Sequence, residues 1–514
     1  MLEKFIALAV GLLMFSNNAL ANGFLDPSFA STGKTATYWP IDESGLRGAT
    51  FPVKTLVQND NKVLVISNTP TPFGSQWPGN SLIGISRLNA NGSEDSSYGF
   101  GGLGQTLLDA GVDFEVQAVD ALLRPDGVLI VLGTIFGPFD ESNMALWAVL
   151  PNGQLDNTFG SNGFTRIKRQ GAFTPSDQAG AITLSVGLPI FFENNLVVAG
   201  GFRNGNSGPH DLMELFLDGQ TGVLSCDSPV CGNEIGGNAG LPNEWRYFRQ
   251  AISTADVQVA DLVASTGTGN VELRIRALLR RANADANGDF DTYVVGTYTG
   301  LTPFRMDSGF GGSGYLPFFF SAAPGLRHNT GNSLALHQLS FGDERLVIAG
   351  YAADAANNDA AIGVYRVRMN SGAADTSFNG GVPKVFDYQT PFVHGDAYAQ
   401  DVLVQPWDGK VLIGGGYEYI GFVVGDAALM RLNFDGSFDN SFGNLSANIP
   451  GRMGYGHTLN GSDRDNRLTS MTLSADGEHL VFSGYAYSSN DGSYFGSVMR
   501  AKLYATELLK DSFE

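Results

Sequence analysis

The chain has little cysteine, little positive charge and few long apolar segments, and each scarcity excludes a class of function. Its 514 residues include two cysteines, and 31 basic side chains stand against 51 acidic ones, for a formal net charge of −20. A surface this acidic repels nucleic acid and anionic membranes. Beyond the N-terminus, no run approaches the ~20 apolar residues of a membrane span. We therefore expect no nucleic-acid partner and no transmembrane segment.

Familiar catalytic motifs are also missing. The six histidines form no H-x-H or H-E-x-x-H pair, and no G-x-S-x-G, P-loop or dinucleotide fingerprint is present. Helical periodicity is nearly absent. The sequence does not name a reaction, so its information lies in its N-terminal segment, its cysteines and its repeats.

Residues 1–21 have the features of a secretory signal. Phe5 to Phe15 is an apolar run, polar residues follow it, and Ala19-Leu20-Ala21 forms an A-x-A cleavage site. The charged segment before the apolar run is weak, and the alternative is an ordinary buried N-terminal helix. We predict a protein that is secreted, periplasmic or attached to the cell surface.

Two cysteines, Cys226 and Cys231, lie five residues apart. In an exported chain this spacing predicts a local disulfide. No further cysteine or histidine stands between Asp211 and Asn270 to complete a metal site. The loop is small, so the bond would remove little entropy from the unfolded chain and would shape an insertion around residues 225–250.

What the sequence has in abundance is repetition. Residues 22–29 match residues 152–159 as N-G-x-L-D-x-[ST]-F, and variants of this D-x-[ST]-F element end at Phe378 and Phe442. A second marker, a short aliphatic run that closes on a small residue, recurs seven times. Its last residues are Ser67, Gly133, Gly200, Gly296, Gly350, Gly415 and Gly484. The spacing is irregular only near residues 225–250, which we ascribe to one insertion.

A clear copy of the repeat contains four strand-like segments. In the second copy they are Gln105–Leu108, Val116–Leu123, Val128–Thr134 and Met144–Leu150. An Asp-Gly turn joins the middle two segments, as in tight hairpins. The pattern predicts an all-β fold, a seven-bladed β-propeller of four-stranded antiparallel blades over 22–504, with a C-terminal tail at 505–514.

The D-x-[ST]-F element is interpreted as structural. We place it after the fourth strand, with its phenylalanine buried between blades and its Asp and Ser/Thr satisfying backbone N–H groups. The last copy ends without an element of its own, whereas the chain after residue 21 begins with one. We predict that Leu25, Asp26, Ser28 and Phe29 close the ring against the blade that contains residues 481–484.

One pair of segments resembles a known repeat family. Residues 404–415 read V-Q-P-W-D-G-K-V-L-I-G-G, and residues 431–443 read R-L-N-F-D-G-S-F-D-N-S-F-G. Together they resemble the delta-60 repeat of secreted bacterial proteins. The resemblance covers roughly 22–504 and is weak in the third and fourth copies. It implies a propeller and no particular reaction.

The strongest local motif is a polar loop in the fourth copy. Oxygen-bearing side chains alternate along it: Asn283, Asp285, Asn287, Asp289 and Asp291. Oxygen ligands on a tight glycine-containing turn can converge on Ca²⁺, which is therefore the one cofactor that we predict. Valine stands where a calcium loop of this type carries glutamate. The alternative is a solvated hairpin tip.

Four further residues are candidate ligand contacts. Arg274 and Arg276 fall on one face of a predicted strand, where they could meet an anionic ligand or pair with neighbouring carboxylates. Trp245 and Tyr247 stand near the predicted insertion. Such aromatic side chains stack on sugars or pack against proteins.

These observations predict an exported, monomeric propeller that acts as a binding or structural module for an extracellular or cell-surface protein or glycan. The alternative is a propeller enzyme, a hydrolase or lyase that acts on an extracellular polymer. An enzyme should gather carboxylates with perturbed pKa values in one concave pocket, whereas a binding module should present a broad exposed patch.

Overall fold

A computed structural model gives the fold of the chain. It describes residues 24–40, 47–70, 81–99, 101–111, 114–138, 141–169, 177–185, 195–203, 209–223, 234–235, 247–250, 256–266, 272–282, 290–300, 305–320, 326–340, 342–354, 360–387, 396–418, 425–443, 451–456, 464–489 and 492–503. Seven antiparallel sheets follow one another along the chain. They confirm the predicted seven-bladed β-propeller.

Within every blade the strands pair successively, the first with the second, the second with the third and the third with the fourth. Blade 1 contains Phe51–Val57, Val63–Pro70, Ser81–Leu88 and Gln105–Leu108. Blade 2 contains Glu115–Leu123, Leu129–Phe136, Ser142–Val149 and Phe164–Arg166. Blade 3 contains Asp177–Leu184, Leu196–Arg203, His210–Leu217 and Tyr247–Gln250. Blade 4 contains Val257–Thr266, Glu272–Ala282 and Phe290–Gly300, and its third strand pairs with both Arg305–Met306 and Tyr315–Phe318.

The remaining blades follow the same plan. Blade 5 contains Leu326–Ser340, Asp343–Asp354, Ala360–Arg368 and Lys384–Phe386. Blade 6 contains Ala397–Val404, Val411–Glu418, Gly425–Leu432 and Arg452–Tyr455. Blade 7 contains Arg464–Leu473, His479–Ser488, Ser493–Lys502 and, from the other end of the chain, Lys34–Thr37. Outside the blades lie the pairs Trp39–Pro40 with Arg47–Gly48 and Lys168–Arg169 with Glu234–Ile235, and a short 3-10 helix at Asn379–Gly381.

Two sequence-based assignments are corrected by the strand pairing. Gln105–Leu108 is the last strand of blade 1, because Thr106 pairs with Ile85, and it does not begin the next blade. As a result, the D-x-[ST]-F element lies between the third and fourth strands of a blade and not after the fourth. Local patterns located the strands, whereas hydrogen bonds between strands decide which of them share a blade.

The second and third strands form the hydrophobic core. In blade 2 every residue of Ser142–Val149 is buried, and so is all but the last residue of Leu129–Phe136. These strands pack against a neighbouring blade on each face, which explains why they are continuous aliphatic runs and do not alternate. In blade 4 the second strand is Glu272–Ala282, so the marker that ends at Gly296 belongs to the third strand. The sequence assignment of that copy was therefore wrong, because arginines interrupt the aliphatic run of the second strand.

The D-x-[ST]-F element is held by an arginine of the third strand. In blade 6, Asp439 Oδ2 accepts a 2.7 Å hydrogen bond from Arg431 Nε, and Asp439 Oδ1 accepts hydrogen bonds from the Ser441 backbone N–H and hydroxyl. The Arg431 guanidinium stacks on Phe442 and donates to the Leu503 carbonyl of blade 7. We call this arrangement the Arg–Asp staple, because it joins one blade to the next. It recurs as Arg87–Asp95–Ser97–Tyr98, Arg366–Asp375–Ser377–Phe378 and Arg500–Asp26–Ser28–Phe29.

The two ends of the described chain meet in blade 7. Leu25 forms a β-bridge with Ala501, and Lys34–Thr37 pairs along Ser493–Lys502. Phe29 is fully buried and packs in one cluster with Val63 of blade 1 and Val481 of blade 7. The N-terminal segment therefore supplies both the missing D-x-[ST]-F element and the missing fourth strand. In the part of the chain described, no helix is long and apolar enough for a membrane span.

Candidate functional site

A bulge in every first strand shapes the propeller axis. In each of the seven blades, the pairing of the first and second strands skips one residue at an equivalent position. The skipped residues are Val53, Val119, Gly180, Ala260, Asn332, Gln400 and Thr469. A bulge redirects side chains locally, and all seven skipped residues line one cavity of about 290 Å³, which we call the axial cavity.

The bulge also explains the small residue that ends the aliphatic marker. A Cβ atom on Gly415 would lie 1.9 Å from the Tyr398 carbonyl oxygen, and one on Gly484 would lie 1.6 Å from that of Arg467. The bulged first strand leaves no room for a side chain at these two positions. The small residue at the end of the aliphatic marker thus indicates where the first strand bulges into the axial cavity. This relation is visible only in the folded structure.

The residues directly after the bulges form a second, largely polar set. They are Lys54, Asp120, Ala181, Asp261, Ser333, Asp401 and Ser470. The three aspartates fall on blades 2, 4 and 6. Each accepts a hydrogen bond from the backbone N–H of the residue that follows it, and another from the backbone N–H at the equivalent position in the following blade. Asp401, for example, accepts from Val402 at 2.8 Å and from Met471 at 2.7 Å. They therefore fasten the inner strands of adjacent blades to each other.

One ammonium group balances part of this negative charge. Lys54 Nζ lies 2.8 Å from Asp120 Oδ1. Burial alone would lower the pKa of Lys54, but the charges of Asp120, Asp261 and Asp401 raise it above its usual value. Burial raises the pKa of Asp261 to about 6 against the opposing charge of Lys54, and burial also raises the pKa of Asp401. The lining of the cavity is thus polar and carries both signs of charge.

One guanidinium and two amide side chains cover the wall between blades 4 and 6. Arg280 donates to the Gly331 carbonyl at 2.9 Å and to Asn332 Oδ1 at 2.6 Å. Asn332 Nδ2 in turn donates to the Ala399 carbonyl at 2.6 Å and to Gln400 Oε1 at 3.2 Å. These contacts leave the exposed Gln400 amide at the cavity surface.

Aromatic side chains cluster at one end of the axis, between blades 7 and 1. Phe51 stands two residues before the bulge residue Val53 and is 37% exposed. Its ring centroid lies 5.3 Å from that of Tyr485 and 5.4 Å from that of Tyr494. Tyr487 packs on Tyr494 at 5.2 Å. The rings present a partly exposed aromatic surface.

A charged network continues this surface onto blade 6. The Arg467 guanidinium donates to the Tyr398 hydroxyl at 2.8 Å, to Glu418 at 2.8 Å and to Asp465 at 2.9 Å. The Tyr494 hydroxyl donates to the other oxygen of Asp465 at 3.2 Å. We refer to the aromatic side chains and this network together as the aromatic rim. Its members are Phe51, Tyr398, Glu418, Asp465, Arg467, Tyr485, Tyr487 and Tyr494.

The structure describes the side chains of only some of the residues predicted as sites from the sequence. Cys226, Cys231, Trp245 and the calcium-loop residues Asn283, Asp285, Asn287 and Asp289 lie outside the described residues. Of Asp291 and Tyr247 the structure describes only the backbone, in the third strand of blade 4 and the fourth strand of blade 3. The disulfide and the calcium site therefore stay predictions. Arg274 is half-buried in the second strand of blade 4.

Arg276 requires a correction, since it is fully buried and cannot contact a ligand from solvent. It pairs with Gly296 in the register of blade 4, and Gly296 holds the third-strand position at which other blades carry the staple arginine. The guanidinium fills this space from the second strand. It donates to Asp307 at 2.7 Å and to the Met369 carbonyl at 3.0 Å, and it stacks on Phe310. Arg276 is therefore a staple residue.

One group of possible metal ligands lies at the opposite end of the blades. Asp476, Glu478 and His479 bring one ligand atom each to within 4.8 Å of the others. Asp476 accepts hydrogen bonds from the Ser474 hydroxyl and the Glu478 backbone, and His479 Nε2 lies 3.3 Å from Asp26. These contacts serve the turn and the ring closure, so the group by itself does not indicate a metal site.

Comparisons with known proteins found one family model and several solved structures of low similarity. Residues 408–442 match a family model described as a domain of unknown function (DUF5122) beta-propeller. No curated protein matches the chain. Drosophila Semaphorin 2a is similar with a TM-score of 0.46 and 9% identity over 94% of this chain and 77% of its own. The polysaccharide lyase Uly1 gives 0.41 and 9% over 88% and 89%, and a protein of unknown function from Dyadobacter fermentans DSM 18053 gives 0.38 and 11% over 91% and 100%. The chain is a β-propeller, and its residues 408–442 are similar to the β-propeller domain that this family model describes.

Proposed function

We propose that the protein is a glycan-binding propeller and that the aromatic rim is its binding surface. The observation that carries this proposal is the combination of partly exposed aromatic rings with fixed charged groups beside them. The C–H face of a sugar ring packs on aromatic side chains, while its hydroxyls need donors and acceptors held in place. Phe51, Tyr487 and Tyr494 offer aromatic faces for the sugar ring. Glu418 and Asp465 offer fixed polar groups for its hydroxyls.

An enzymatic role is the second candidate, and one observation favours it. Asp261 lines the axial cavity with its pKa raised to about 6, and perturbed carboxylates in a cavity are typical of active sites. Its oxygens, however, accept the backbone N–H groups of Leu262 at 2.7 Å and Leu334 at 2.6 Å. A carboxylate that fastens two blades is poorly placed to exchange protons with a substrate. We therefore favour binding.

Three expectations from the sequence belong to the same proposal. Export through residues 1–21 would bring the aromatic rim into contact with extracellular or cell-surface glycans. Ca²⁺ at the loop 283–291 would stabilise blade 4, next to the axial cavity. Membership of the delta-60 repeat class would agree with a secreted binding module.

The test is a panel of soluble neutral and acidic polysaccharides, with binding measured by calorimetry on the mature protein. We expect Phe51→Ala and Tyr494→Ala to weaken binding by about tenfold or more. Trp407→Ala is the matched control, because Trp407 is 47% exposed in the turn at the opposite ends of the strands of blade 6. Thermal melting checks that each variant is folded.

Two outcomes would overturn the proposal. One is that no polysaccharide binds, for instance because the rim instead accepts a protein partner. The other is that the rim variants bind as tightly as the wild type. Turnover of a bound polysaccharide that is lost in Asp261→Asn would favour the enzymatic candidate.

A further inference from the structure

We infer that the axial cavity is a subsite for one uncharged sugar unit at the end of a glycan chain. This inference rests on the proposed function, because it takes the aromatic rim to be where the rest of the glycan lies. It adds that the sugar unit in the cavity is uncharged and that the glycan enters the cavity by one of its ends. Neither the fold nor the rim determines these two properties.

The rim and the axial cavity are parts of one surface. Three first strands carry both, because Phe51, Tyr398 and Arg467 each precede by two residues a bulge residue that lines the cavity. Two residues along a strand span about 7 Å. A sugar unit in the cavity and its neighbour on the rim would therefore be adjacent units of one chain.

The size of the cavity fits one unit and not a chain segment. At about 290 Å³ it lies at the small end of the range of ligand pockets, ~300–1,000 Å³. Residues of all seven blades line this one cavity, where Lys54 Nζ of blade 1 lies 2.8 Å from Asp120 Oδ1 of blade 2. The volume that they enclose has no room for a second unit. A chain that entered from the rim would end there.

The chemistry of the lining favours hydroxyl groups over charged substituents. Amide and hydroxyl side chains are present at Asn332, Gln400, Ser333 and Thr469. Among the cavity-lining residues, three aspartates stand against Lys54 and Arg280, so the charge is net negative. The Lys54 ammonium is already paired with Asp120 at 2.8 Å. A uronate or sulfate group would meet repulsion, whereas a neutral sugar would meet donors and acceptors.

The experiment uses each neutral oligosaccharide that binds the wild-type protein in two blocked forms. One form carries a bulky acetal on its non-reducing terminal unit, and the other carries a bulky glycoside at its reducing end. We expect one of the two blocks, and not the other, to weaken binding by about tenfold or more. Gln400→Ala should weaken binding of the free oligosaccharide to a similar degree. Gln154→Ala is the matched control, since Gln154 is an exposed glutamine in the turn after the third strand of blade 2.

Three results would overturn the inference while leaving glycan binding intact. They are equal binding of the free and both blocked forms, wild-type affinity in Gln400→Ala, and tighter binding of uronate polymers than of neutral ones. If no glycan binds the wild-type protein at all, the proposed function fails and this inference fails with it. The two failures are therefore distinguishable.

Discussion

Arg500 donates from Nε to Asp26 Oδ2 at 2.9 Å, although 474 residues separate the two positions in the chain. A second nitrogen of the same guanidinium lies 2.6 Å from that oxygen, and the Asp26 side chain is almost fully buried. Other Arg–Asp staples join residues that are close in sequence, as Arg431 and Asp439 are. The staple of blade 7 instead holds the two ends of the propeller together.

Asp26→Asn should therefore destabilise the whole ring. Removing one partner of a buried ion pair leaves the other charge unpaired, which costs about 3–5 kcal/mol. We expect a loss of this size in the free energy of unfolding, measured by urea denaturation. The matched control is Asp156→Asn. Asp156 occupies the same place in the element of blade 2, but it faces Ala148 at the position where blade 7 has Arg500. Its loss should be about 1 kcal/mol. Equal losses in both variants would contradict the role of the closing pair.

The staple aspartates should make the protein sensitive to acid. Burial alone would raise the pKa of Asp439, but Ser441, Arg431 and Lys410 bring it down to about 2, and the pKa values of Asp26 and Asp375 are also lowered. A lowered pKa gives stability that is complete above the unfolded-state value of about 4 and is lost as the pH falls toward the folded-state value. We expect the melting temperature to fall steeply between about pH 4 and pH 2. Asp439→Asn should flatten that fall, and a parallel profile would refute the assignment.

Glu214 should have the opposite effect on stability. It is fully buried between blades 3 and 4, and burial raises its pKa to about 7 against a 2.6 Å hydrogen bond from Thr297. The folded protein keeps this proton when the unfolded chain has lost it, so stability declines as the pH rises from about 4.5 to 7. Glu214→Gln should therefore raise the melting temperature at pH 8 and change it little at pH 4. The exposed Glu94→Gln is the control, and identical shifts at both pH values would contradict the prediction.

Lys54→Met should destabilise the axis more at pH 8 than at pH 5. The substitution removes the ammonium that faces Asp120, Asp261 and Asp401. At pH 5 Asp261, whose pKa is already about 6, can take up a proton and relieve the repulsion; at pH 8 it cannot. We expect the larger loss at pH 8, measured by urea denaturation, and a value below the ~3–5 kcal/mol of a fully buried pair, because the Lys54 side chain is 33% exposed. Lys34→Met, which removes a half-buried lysine of blade 7 whose ammonium donates to the Gly456 carbonyl at 3.0 Å, should have a small effect at both pH values. A loss that does not depend on pH would show that Lys54 acts only by filling space.

Local sequence patterns predicted much of the fold. Aliphatic runs such as residues 130–133 identified core strands, because a strand buried on both faces must be apolar throughout. The D-x-[ST]-F copies gave the repeat, and the copy after residue 21 predicted the ring closure. The sequence could have yielded the staple arginines as well, since Arg87 and Arg431 stand at the same place in their copies. Their role was missed because the partner carbonyl lies in the next blade, as that of Leu503 does for Arg431.

By itself, then, the sequence determined the number of blades, the strand segments and the position of the closing element, since these depend on neighbours along the chain. Only the tertiary structure decided which strands share a blade, why Arg276 is buried, and that Lys54, Asp261 and Asp401 face one cavity. The physical reason is that every blade contributes one to three residues to the axial cavity. These residues are separated by the length of a whole blade, so no short motif in the sequence links them. The bulges in the seven first strands bring them together only in the folded ring.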